Sequence, residues 1–393
     1  MIITLHVFIL GSKGIPARYG GFETFVDQLV SRRTDTGIQY HVACLDSSKS
    51  EAEYRGARCF HLPVPNMGPA KAVYYDLAAL GACRAYIRKH AIENAVVCLL
   101  TCRVGPFMGY HKKKLAAMGV PLIVNPDGLE WSRAGWNAAI RRYWKLSERL
   151  TVKQADLLVC DSRAIEGYIR GEYGQKAPPS LFIPYGAELG VLPCKQEAID
   201  RWYARHGLAK GDFYLAVGRF VPENNYETML RGFMRSSTGR KLVFISNVQR
   251  NRFYESLRAH TGFDRDPRIC FAGTVYDQAL LARIRREAHA SLHGHEAGGT
   301  NPSLLEALAM TDMNLVLDVV FNREVAEDSA LYWEKTPDSL AAIIDAADRL
   351  TLSERQALGE RAKQRVATAY NWPDVVANYE RAFRRIQGGK ITT

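Results

Sequence analysis

The sequence predicts an α/β protein with two domains, each built on a parallel sheet that is covered by helices. Short apolar runs typical of strands alternate with helical patterns along the whole chain, as expected for such sheets. A glycine-rich turn lies near each end of the chain, one after Leu10 and the other after His293. With 393 residues, the chain is long enough for two domains with full hydrophobic cores.

The predicted strands fall into two series with a break between them. The first series lies near residues 4–10, 39–45, 95–100, 121–124, 156–160 and 181–184, and the second near residues 213–217, 241–246, 268–272, 290–293 and 314–318. The prolines at 178–179 and the stretch from Gly186 to Lys210 mark the change between them. We therefore place an N-terminal domain at residues 1–190 and a C-terminal domain at residues 191–372.

The last part of the sequence predicts one more helix. It begins after Trp372-Pro373 and continues to about residue 387. Residues 373–393 either pack on the C-terminal domain or cross back to the N-terminal domain, and the sequence leaves both arrangements open.

The composition is that of an ordinary globular protein, with 47% hydrophobic and 24% charged residues. The first apolar run ends at Gly11 and has no basic leader, so we interpret it as a strand and not as a signal peptide. No run approaches the length of a membrane span. The eight cysteines include no Cys-x-x-Cys pair, which favours buried reduced thiols and a cytoplasmic location.

The net charge of +11 is unevenly distributed along the chain. Residues 1–190 hold 24 Lys and Arg against 16 Asp and Glu, a net charge of +8, and the remainder carries +3. The excess gathers in two groups: His111-Lys112-Lys113-Lys114, and Arg141, Arg142, Lys145, Arg149 and Lys153. No nucleic-acid module is evident, so nucleic acid is not an expected partner. An anionic membrane surface is the favoured partner, and a solvated basic face is the alternative.

The second glycine-rich turn has the features of a phosphate-binding site. It follows the apolar strand at residues 290–292 and contains glycine and short polar residues: Gly298, Gly299, Thr300 and Asn301. Pro302 then begins a helix, whose N-terminal N–H groups and dipole favour an anion. Glu306 lies about one turn into this helix, where its carboxylate suits the hydroxyls of a ribose. The segment predicts a site for a nucleotide diphosphate.

The first glycine-rich turn predicts a similar anion site after the first strand. Gly11 and Gly14 come first, and Gly20-Gly21 then precede a helix. Apolar residues at helical spacing mark that helix: Phe22, Phe25, Val26, Leu29 and Val30. A tight turn that binds nothing is the alternative interpretation. The turn lacks the full dinucleotide fingerprint, which argues against a nicotinamide dehydrogenase.

Four motifs in the expected order resemble those of the GT-B glycosyltransferases of the large retaining family 4. They are Gly20-Gly21-Phe22-Glu23, Ile183-Pro184-Tyr185-Gly186, Val217-Gly218-Arg219-Phe220 and Gly299-Thr300-Asn301-Pro302-Ser303-Leu304-Leu305-Glu306. The resemblance covers essentially the whole chain. It implies two Rossmann-like domains with parallel sheets that face a central cleft, and a nucleotide sugar as the donor.

Longer motifs resemble a narrower group, the bacterial rhamnosyltransferases of cell-wall and capsule assembly. They span residues 11–26, 124–131 and 218–227. This resemblance implies transfer of L-rhamnose from dTDP-β-L-rhamnose to a polyprenyl-diphosphate-linked GlcNAc or glucose, with a β-1,4 linkage. It also implies a peripheral enzyme on the inner face of the bacterial cell membrane.

The chain departs from the broad family at one carboxylate position. The family has two glutamates separated by seven residues, of which Glu306 is the second. The first falls on Gly298, and Glu296 is out of register by two residues. A 6-deoxy sugar lacks a hydroxyl group, so an altered contact near Gly298 agrees with rhamnose.

The chain also departs at one cationic position. The family places a lysine after its Gly-Arg pair to hold the diphosphate, and here that residue is Asn224. We therefore expect Arg219 to carry more of the positive charge, together with Lys13 or Arg18 from across the cleft.

The donor pocket is expected to need no metal, because helix N-termini and Arg219 can stabilise the departing diphosphate. His293, at a strand end, is expected to form a wall of the sugar pocket. Val275 and Tyr276 are candidates for the base pocket. His293 and His295 lack a third ligand for a metal. Asp264-Arg265-Asp266 is interpreted as part of a solvated polar loop.

For the acceptor, the family resemblance implies front-face transfer, in which the leaving phosphate helps to deprotonate the acceptor. Asp127 and Asp161, each just past an apolar strand, are the carboxylates expected to hold the acceptor. Asp161-Ser162 is alternatively a helix N-cap. Tyr168 lies seven residues after Asp161, at a spacing that favours one helical face. Glu130 and Trp131 are expected to line the acceptor mouth, with a core position as the alternative for Trp131.

Two alternative functions remain open from the sequence. One is another family 4 transferase, which uses a UDP-hexose donor. The other is an inactive GT-B protein that binds a nucleotide or serves as a scaffold for a membrane assembly complex. A comparison of dTDP-sugar and UDP-sugar binding distinguishes the UDP-hexose transferase from the rhamnosyltransferase. A measurement of sugar transfer distinguishes the inactive protein from both enzymes.

Overall fold

The computed structural model describes residues 4–17, 20–132, 135–190 and 192–389. The chain forms two compact units. The first unit runs to Tyr185 and takes up the chain again at Trp372, and the second unit is Gly186–Asn371.

Within the described residues, the first unit contains an eight-stranded sheet. Its strands are β1 (Leu5–Leu10), β2 (Ile38–Asp46), β3 (Ser50–Tyr54), β4 (Ala57–Pro63), β5 (Ala95–Leu99), β6 (Leu122–Val124), β7 (Leu157–Cys160) and β8 (Ser180–Phe182). Their order is β3-β4-β2-β1-β5-β6-β7-β8. All neighbours are parallel except β3 and β4, which are antiparallel. The strand order reverses between β1 and β5, where open α/β sheets form their ligand crevice.

The helices of the first unit connect these strands. They are α1 (Gly21–Ser31), α2 (Lys71–Lys89), α3 (Gly105–Ala116), α4 (Ala138–Gln154) and α5 (Arg163–Tyr173). The central strands are buried on both faces, since β1 and β5 expose almost no side chain. Continuous apolar runs are typical of parallel strands that are covered by helices on both sides.

The described part of the second unit contains a six-stranded parallel sheet with the order β11-β10-β9-β12-β13-β14. Its strands are β9 (Phe213–Val217), β10 (Lys241–Ile245), β11 (Ile269–Gly273), β12 (Ala290–His293), β13 (Asn314–Leu317) and β14 (Leu331–Trp333). The helices are α6 (Gln196–His206), α7 (Tyr226–Arg235), α8 (Arg252–Thr261), α9 (Gln278–Glu287), α10 (Pro302–Met310), α11 (Val320–Ala326), α12 (Pro337–Arg349) and α13 (Leu352–Ala369). The strand order reverses between β9 and β12.

Apolar clusters cover both faces of the second sheet. Tyr214 and Phe244 pack in one cluster, and Phe213, Leu215 and Val243 pack in the other. The alternation along β9 follows from the period of two, which turns successive side chains to opposite faces. The result is a three-layer α/β/α unit that holds the strand ends in place.

The last helix, α14 (Trp372–Gln387), is part of the first unit. Its Glu380 carboxylate accepts hydrogen bonds from the Thr34 N–H at 2.9 Å and the Thr34 hydroxyl at 2.5 Å. The Arg384 guanidinium donates to Asp35 at 2.8 Å. The ring of Tyr379 lies 4.9 Å from that of Phe25 on α1. These contacts secure the end of the chain against α1 and the loop that follows it.

The two connections between the units lie side by side. The Ala187 N–H donates to the Tyr370 carbonyl at 2.8 Å, and Ala187 forms a parallel bridge with Asn371. The chain therefore leaves and re-enters the first unit at neighbouring points.

Every strand that the sequence predicts is present, within two residues at each end. The sequence analysis missed β3, β4 and β14. All eight cysteines lie among the described residues and are free thiols, six of them buried. None of the helices in the described ranges combines the length and apolar character that a membrane crossing requires.

Candidate functional site

In the second unit, the predicted donor residues gather at the carboxyl ends of β9 and β12. Gly218 and Arg219 follow β9, and His293 ends β12. The Ser303 hydroxyl, in the first turn of α10, donates to the Val217 carbonyl at 2.9 Å. This bond ties the start of α10 to the end of β9, at the point where the strand order of the second sheet reverses.

The N-terminus of α10 is built as the sequence predicts. Asn301 is the N-cap, and its side chain accepts from the Ser303 N–H at 2.9 Å. Pro302 occupies the first helical position, and Thr300 is buried directly before the cap. Gly298 and Gly299 complete the turn that leads to the helix. A helix N-terminus of this form favours an anionic ligand.

Gly298 has a backbone conformation that explains the departure from the broad family pattern. Its φ is +125°, a region that a residue with a side chain rarely adopts. A glutamate at this position would therefore be strained in the present turn. Glu296 lies nearby, but its carboxylate accepts from Asn225 and forms an ion pair with Lys335.

A buried arginine holds Glu306, the residue that is expected to bind the ribose. The Arg285 guanidinium donates to the Glu306 carboxylate at 2.7 Å and lies 3.3 Å from the Ser303 hydroxyl. The side chain of Arg285 is 3% exposed and that of Glu306 is 34% exposed. The carboxylate is thus fixed from behind and remains partly open to solvent. In the sequence, Arg285 is one of three arginines within four residues, and its burial is not visible from that pattern.

Two neutral histidines lie beside this edge. The rings of His293 and His295 stack with their centroids 4.4 Å apart. Burial, together with the nearby charges of Arg219 and Arg285, lowers the pKa of His295 to about 3. Burial also holds the pKa of His293 well below its ordinary value. Both imidazoles are therefore uncharged near neutral pH and can donate and accept hydrogen bonds.

The loop after β9 is packed closely against the histidines. A Cβ atom on Gly218 would lie 2.7 Å from His295 Cε1 and 3.2 Å from Asn224 Nδ2. The Asn224 amide donates to the Arg219 carbonyl at 2.7 Å, so it supports the turn that carries Arg219. The Asn225 amide donates to the Gly294 carbonyl at 2.9 Å and joins the β9 and β12 loops.

Val275 and Tyr276 lie in the loop after β11, at the edge of the second sheet and two strands from β9. The side chain of Tyr276 is 71% exposed, while Val275 packs on the core. Each aspartate of the Asp264-Arg265-Asp266 segment pairs with an arginine. No group of three or more potential metal ligands occurs within the part of the chain that the structure describes.

In the first unit, the first glycine-rich turn is tied to α1 by Glu23, the last residue of the Gly20-Gly21-Phe22-Glu23 motif, for which the sequence analysis predicted no individual role. The Glu23 carboxylate, on α1, accepts from the Lys13 N–H at 2.7 Å. Gly20 has a φ of +126°, and a Cβ atom there would overlap the Glu23 carboxylate. Gly21 is the first residue of α1. Arg18 lies outside the described residues.

Asp127 follows β6 in a strained backbone conformation. Its φ is +62°, in the left-handed region. The Asn125 side-chain oxygen accepts from the Asp127 N–H at 2.9 Å, and the Asp127 carboxylate accepts from the Gly128 N–H at 2.8 Å. Such strain concentrates at functional positions, because the surrounding structure must maintain it.

Asp161 is buried between β7 and α5. The N-cap of α5 is Ser162, whose hydroxyl accepts from the Ala164 N–H at 3.1 Å. Asp161 precedes the helix, so it does not share a helical face with Tyr168. The Tyr168 hydroxyl donates to the Glu148 carboxylate at 2.6 Å.

Trp131 and Tyr168 lie in one cluster around Lys145, and Glu130 lies directly before Trp131 in the chain. The Lys145 ammonium lies 4.8 Å from the Trp131 ring and 4.7 Å from the Tyr168 ring. The Glu130 carboxylate accepts from the indole N–H of Trp136 at 3.3 Å. The sequence did not predict Lys145 as the centre of this cluster, because Lys145 is one of several basic residues on α4.

Solved structures with the same fold are of GT-B glycosyltransferases. A sucrose-phosphate synthase from Thermosynechococcus elongatus has a TM-score of 0.76 at 16% identity, over 98% of this chain and 100% of that chain. An E. coli trehalose-6-phosphate structure bound with UDP-2-fluoro glucose has a TM-score of 0.71 at 12% identity, over 97% and 99% of the two chains. A UDP-forming α,α-trehalose-phosphate synthase from Burkholderia xenovorans, in complex with glucose-6-phosphate, has a TM-score of 0.68 at 15% identity, over 97% and 100%.

These similarities confirm the predicted fold class: an α/β protein of the GT-B type with two parallel-sheet domains. At these identities the likeness establishes the fold alone. Residues 4–188 match the model of a family described as a domain of unknown function, DUF1972. No curated protein matches the sequence.

Proposed function

We propose that the protein is a retaining glycosyltransferase that moves L-rhamnose from dTDP-β-L-rhamnose to a polyprenyl-diphosphate-linked GlcNAc or glucose. The product carries a β-1,4 linkage and serves cell-wall or capsular polysaccharide synthesis. The observation that carries the proposal is the edge of the second sheet, where Glu306 is fixed by Arg285 one turn behind the N-terminus of α10.

The donor lies at that edge. The α10 N-terminus and Arg219 stabilise the departing diphosphate, as helix dipoles and guanidinium groups do in other phosphate sites. Glu306 accepts hydrogen bonds from the ribose hydroxyls. The neutral rings of His293 and His295 bind sugar hydroxyls. These groups supply the charge stabilisation of the leaving group without a metal ion.

The donor sugar is assigned from the long motifs together with Gly298. The absence of a carboxylate at Gly298 leaves fewer polar partners for the sugar, which agrees with a 6-deoxy hexose. The φ of Gly298 is positive, so a glutamate could be accommodated at this position only if the turn changed its conformation.

Retention of configuration follows from front-face transfer. The bond between the anomeric carbon and the phosphate oxygen breaks as the acceptor hydroxyl oxygen bonds to the same carbon. The hydroxyl proton passes to the departing phosphate, so no side-chain nucleophile is needed. Asp127 and Asp161, at the ends of β6 and β7, orient the acceptor, with Glu130 and Tyr168 at its mouth.

The acceptor lipid requires contact with a membrane, and the neighbouring helices α3 and α4 provide a suitable surface. Phe107, Tyr110 and Leu146 are exposed on these helices. Lys114 and Arg142, also exposed, stand one turn from Tyr110 and Leu146 respectively. Exposed apolar groups beside basic groups favour the headgroup region of an anionic bilayer. This surface supports a peripheral location on the inner face of the cell membrane.

A UDP-hexose donor is the second candidate. Two of the structural neighbours are a UDP-forming synthase and a complex with UDP-2-fluoro glucose, and this observation favours it.

The deciding experiment is sugar transfer onto synthetic polyprenyl-diphosphate-GlcNAc and its glucose counterpart, followed by mass spectrometry with EDTA present. The donors are dTDP-β-L-rhamnose, UDP-glucose and UDP-GlcNAc. A mass gain of one deoxyhexose with dTDP-rhamnose alone is the expected result. A gain from a UDP-sugar alone would replace the donor assignment. Nucleotide binding without a gain from any pair would favour an inactive scaffold.

A further inference from the structure

A buried ion pair lies where the strand order of the first sheet reverses. Asp76, on α2, has a fully buried side chain. Its Oδ2 accepts from the Thr101 hydroxyl at 3.0 Å and lies 3.6 Å from Arg103 Nη1. Its Oδ1 is buried and has no hydrogen-bond partner among the residues that the structure describes. Arg103 Nη1 also approaches the Gly11 carbonyl at 3.4 Å, so the arginine joins the loops after β1 and β5.

The backbone around Arg103 is held firmly. The Tyr143 hydroxyl donates to the Arg103 carbonyl at 2.8 Å. The Ser147 hydroxyl accepts from the Gly105 N–H at 2.8 Å and donates to the Cys102 carbonyl at 2.5 Å. Two side chains of α4 therefore fix the loop on both sides of Arg103, and Asp76 fixes the direction of the guanidinium.

The ion pair between Asp76 and Arg103 is not explained by a contribution to the stability of the fold. The loss of hydration on burial raises the pKa of the Asp76 carboxyl, and Arg103 and Thr101 oppose that rise. Buried ion pairs of this kind often contribute no more to stability than apolar residues of the same volume. What the pair supplies is orientation, because the Arg103 side chain remains 28% exposed at the ligand edge of the sheet. A guanidinium held in this way is suited to binding a phosphate with two parallel hydrogen bonds.

The site lies close to the residues that we assign to the acceptor. Arg103 follows β5 and Asp127 follows β6, and these strands are parallel neighbours, joined where they end by the Asn125 N–H, which donates to the Leu99 carbonyl at 2.8 Å. Asp127 and Arg103 are therefore both at the carboxyl edge of the first sheet, in loops that follow adjacent strands. An acceptor whose sugar contacts Asp127 would carry an anionic substituent on the side of Arg103.

We propose that Arg103, oriented by Asp76, binds the phosphate of a phosphorylated acceptor sugar. The inference rests on the proposed function, since it assumes that an acceptor binds to the first unit. The phosphate has two possible sources, a lipid-linked sugar diphosphate or a soluble sugar phosphate. The chemistry that Arg103 recognises is the same in both.

The test is calorimetric binding to the full-length protein of three probes: GlcNAc, GlcNAc-1-phosphate and a farnesyl-diphosphate-linked GlcNAc. The wild type should bind at least one phosphorylated probe about 10- to 100-fold more tightly than GlcNAc, as expected for charge-assisted hydrogen bonds. Arg103→Gln should lose that preference, and Arg103→Lys should keep only part of it because lysine cannot form the paired contact. Arg88→Gln, an exposed arginine on α2, is the matched control and should behave as the wild type.

The two phosphorylated probes identify the source of the phosphate. Preference for both supports recognition of any sugar phosphate, and preference for the farnesyl probe alone supports the lipid diphosphate. Equal binding of all three probes by the wild type would overturn the proposal, as would an undiminished preference in a folded Arg103→Gln.

Asp76→Asn tests the positioning role separately. It should reduce the phosphate preference several-fold while leaving binding of GlcNAc and dTDP unchanged, which a general loss of structure would not do. Thermal unfolding of each variant reports whether it is folded. If no donor supports transfer but the phosphate preference depends on Arg103, the anion site stands and the rhamnosyl proposal fails. If transfer occurs and Arg103→Gln keeps the wild-type KM for the phosphorylated acceptor, this inference alone fails.

Discussion

The buried guanidinium of Arg285 donates to the Glu306 carboxylate at 2.7 Å, and this contact joins α9 to α10. The direction in which Glu306 points is thereby set by a residue on a different helix. A carboxylate with one fixed orientation loses less rotamer freedom when it binds a ligand. The pair therefore orients the Glu306 carboxylate before a ligand binds, as the proposed contact with the ribose requires.

Replacing Glu306 should weaken nucleotide binding. Glu306→Ala removes a charged hydrogen-bond acceptor, and we expect the dissociation constant of dTDP to rise about tenfold or more. Isothermal titration with dTDP measures the effect. Glu306→Gln retains the shape and should lose less affinity than alanine. Unchanged affinity in both variants would exclude Glu306 from the ribose site.

Asp161 and Ser162 should have separable roles. Asp161→Asn should abolish transfer and leave dTDP binding intact, because in the proposed mechanism this carboxylate orients the acceptor. Ser162→Ala removes the N-cap of α5 and should lower the free energy of unfolding by about 1 kcal/mol with activity largely retained. Transfer assays together with urea denaturation check both variants. Full activity in Asp161→Asn would contradict the assignment.

Replacing Asp127 by asparagine should lower the stability of the fold less than replacing it by alanine. Asparagine adopts the left-handed conformation more readily than most residues, so Asp127→Asn should unfold close to the wild-type temperature. Asp127→Ala should lose about 1 kcal/mol of stability to backbone strain. Both variants should lose transfer activity, since both lack the carboxylate. A fully active Asp127→Asn would show that the strain serves the loop and not the acceptor.

A methyl group on Gly218 should disturb the donor site. Gly218→Ala places a Cβ atom 2.7 Å from His295, so the ring or the loop must move. We expect weaker dTDP binding with a smaller change in thermal stability than a core substitution causes. Gly239→Ala is the control, because its Cβ would meet nothing within 4 Å. Equal affinity of the two variants for dTDP would show that the pair of histidines does not line the donor site.

Buried histidines should make the protein less stable in acid. The pKa of His295 and that of His41 are each about 3 in the fold, against an ordinary value of 6.5. Between these values the unfolded chain binds protons that the folded chain does not, so stability falls as the pH falls below about 6.5. Each histidine contributes at most about 1.4 kcal/mol per pH unit.

The check is the midpoint of thermal unfolding measured from pH 7 to pH 4.5. His295→Gln and His41→Gln should each flatten the acid side of the curve. Only His295→Gln should also weaken dTDP binding, since His41 belongs to the first unit and is not among the residues of the proposed donor site. An unchanged pH profile in both variants would contradict the neutral state of these rings.

Several of the strands that the sequence predicts, such as β1 and β9, have apolar runs that become buried on both faces. The edge strand β3 was missed because Ser50–Tyr54 is largely exposed and has no apolar pattern. Strand β14, Leu331–Trp333, was also missed; it has three residues and lies at the edge of the second sheet.

The glycine turns and Glu306 were predictable because each is part of a local motif. Arg285 and Asp76 were not, because both lie on helices where a charged residue ordinarily indicates the solvent face. Only the packing of α9 against α10, and of α2 against the sheet, buries them. Residues that orient a site residue from a different helix have no local sequence motif, since their position depends on contacts between distant segments.

The hydrogen bond between Ala187 and Tyr370 bears on whether the second unit can be removed from the chain. The second unit is topologically an insert whose two ends lie side by side, while the first unit contains both the beginning and the end of the chain. Gly186–Asn371 can therefore be excised as one continuous segment, and a linker of a few residues can close the remaining gap. A C-terminal truncation at Asn371, in contrast, damages the half of the protein that was synthesised first.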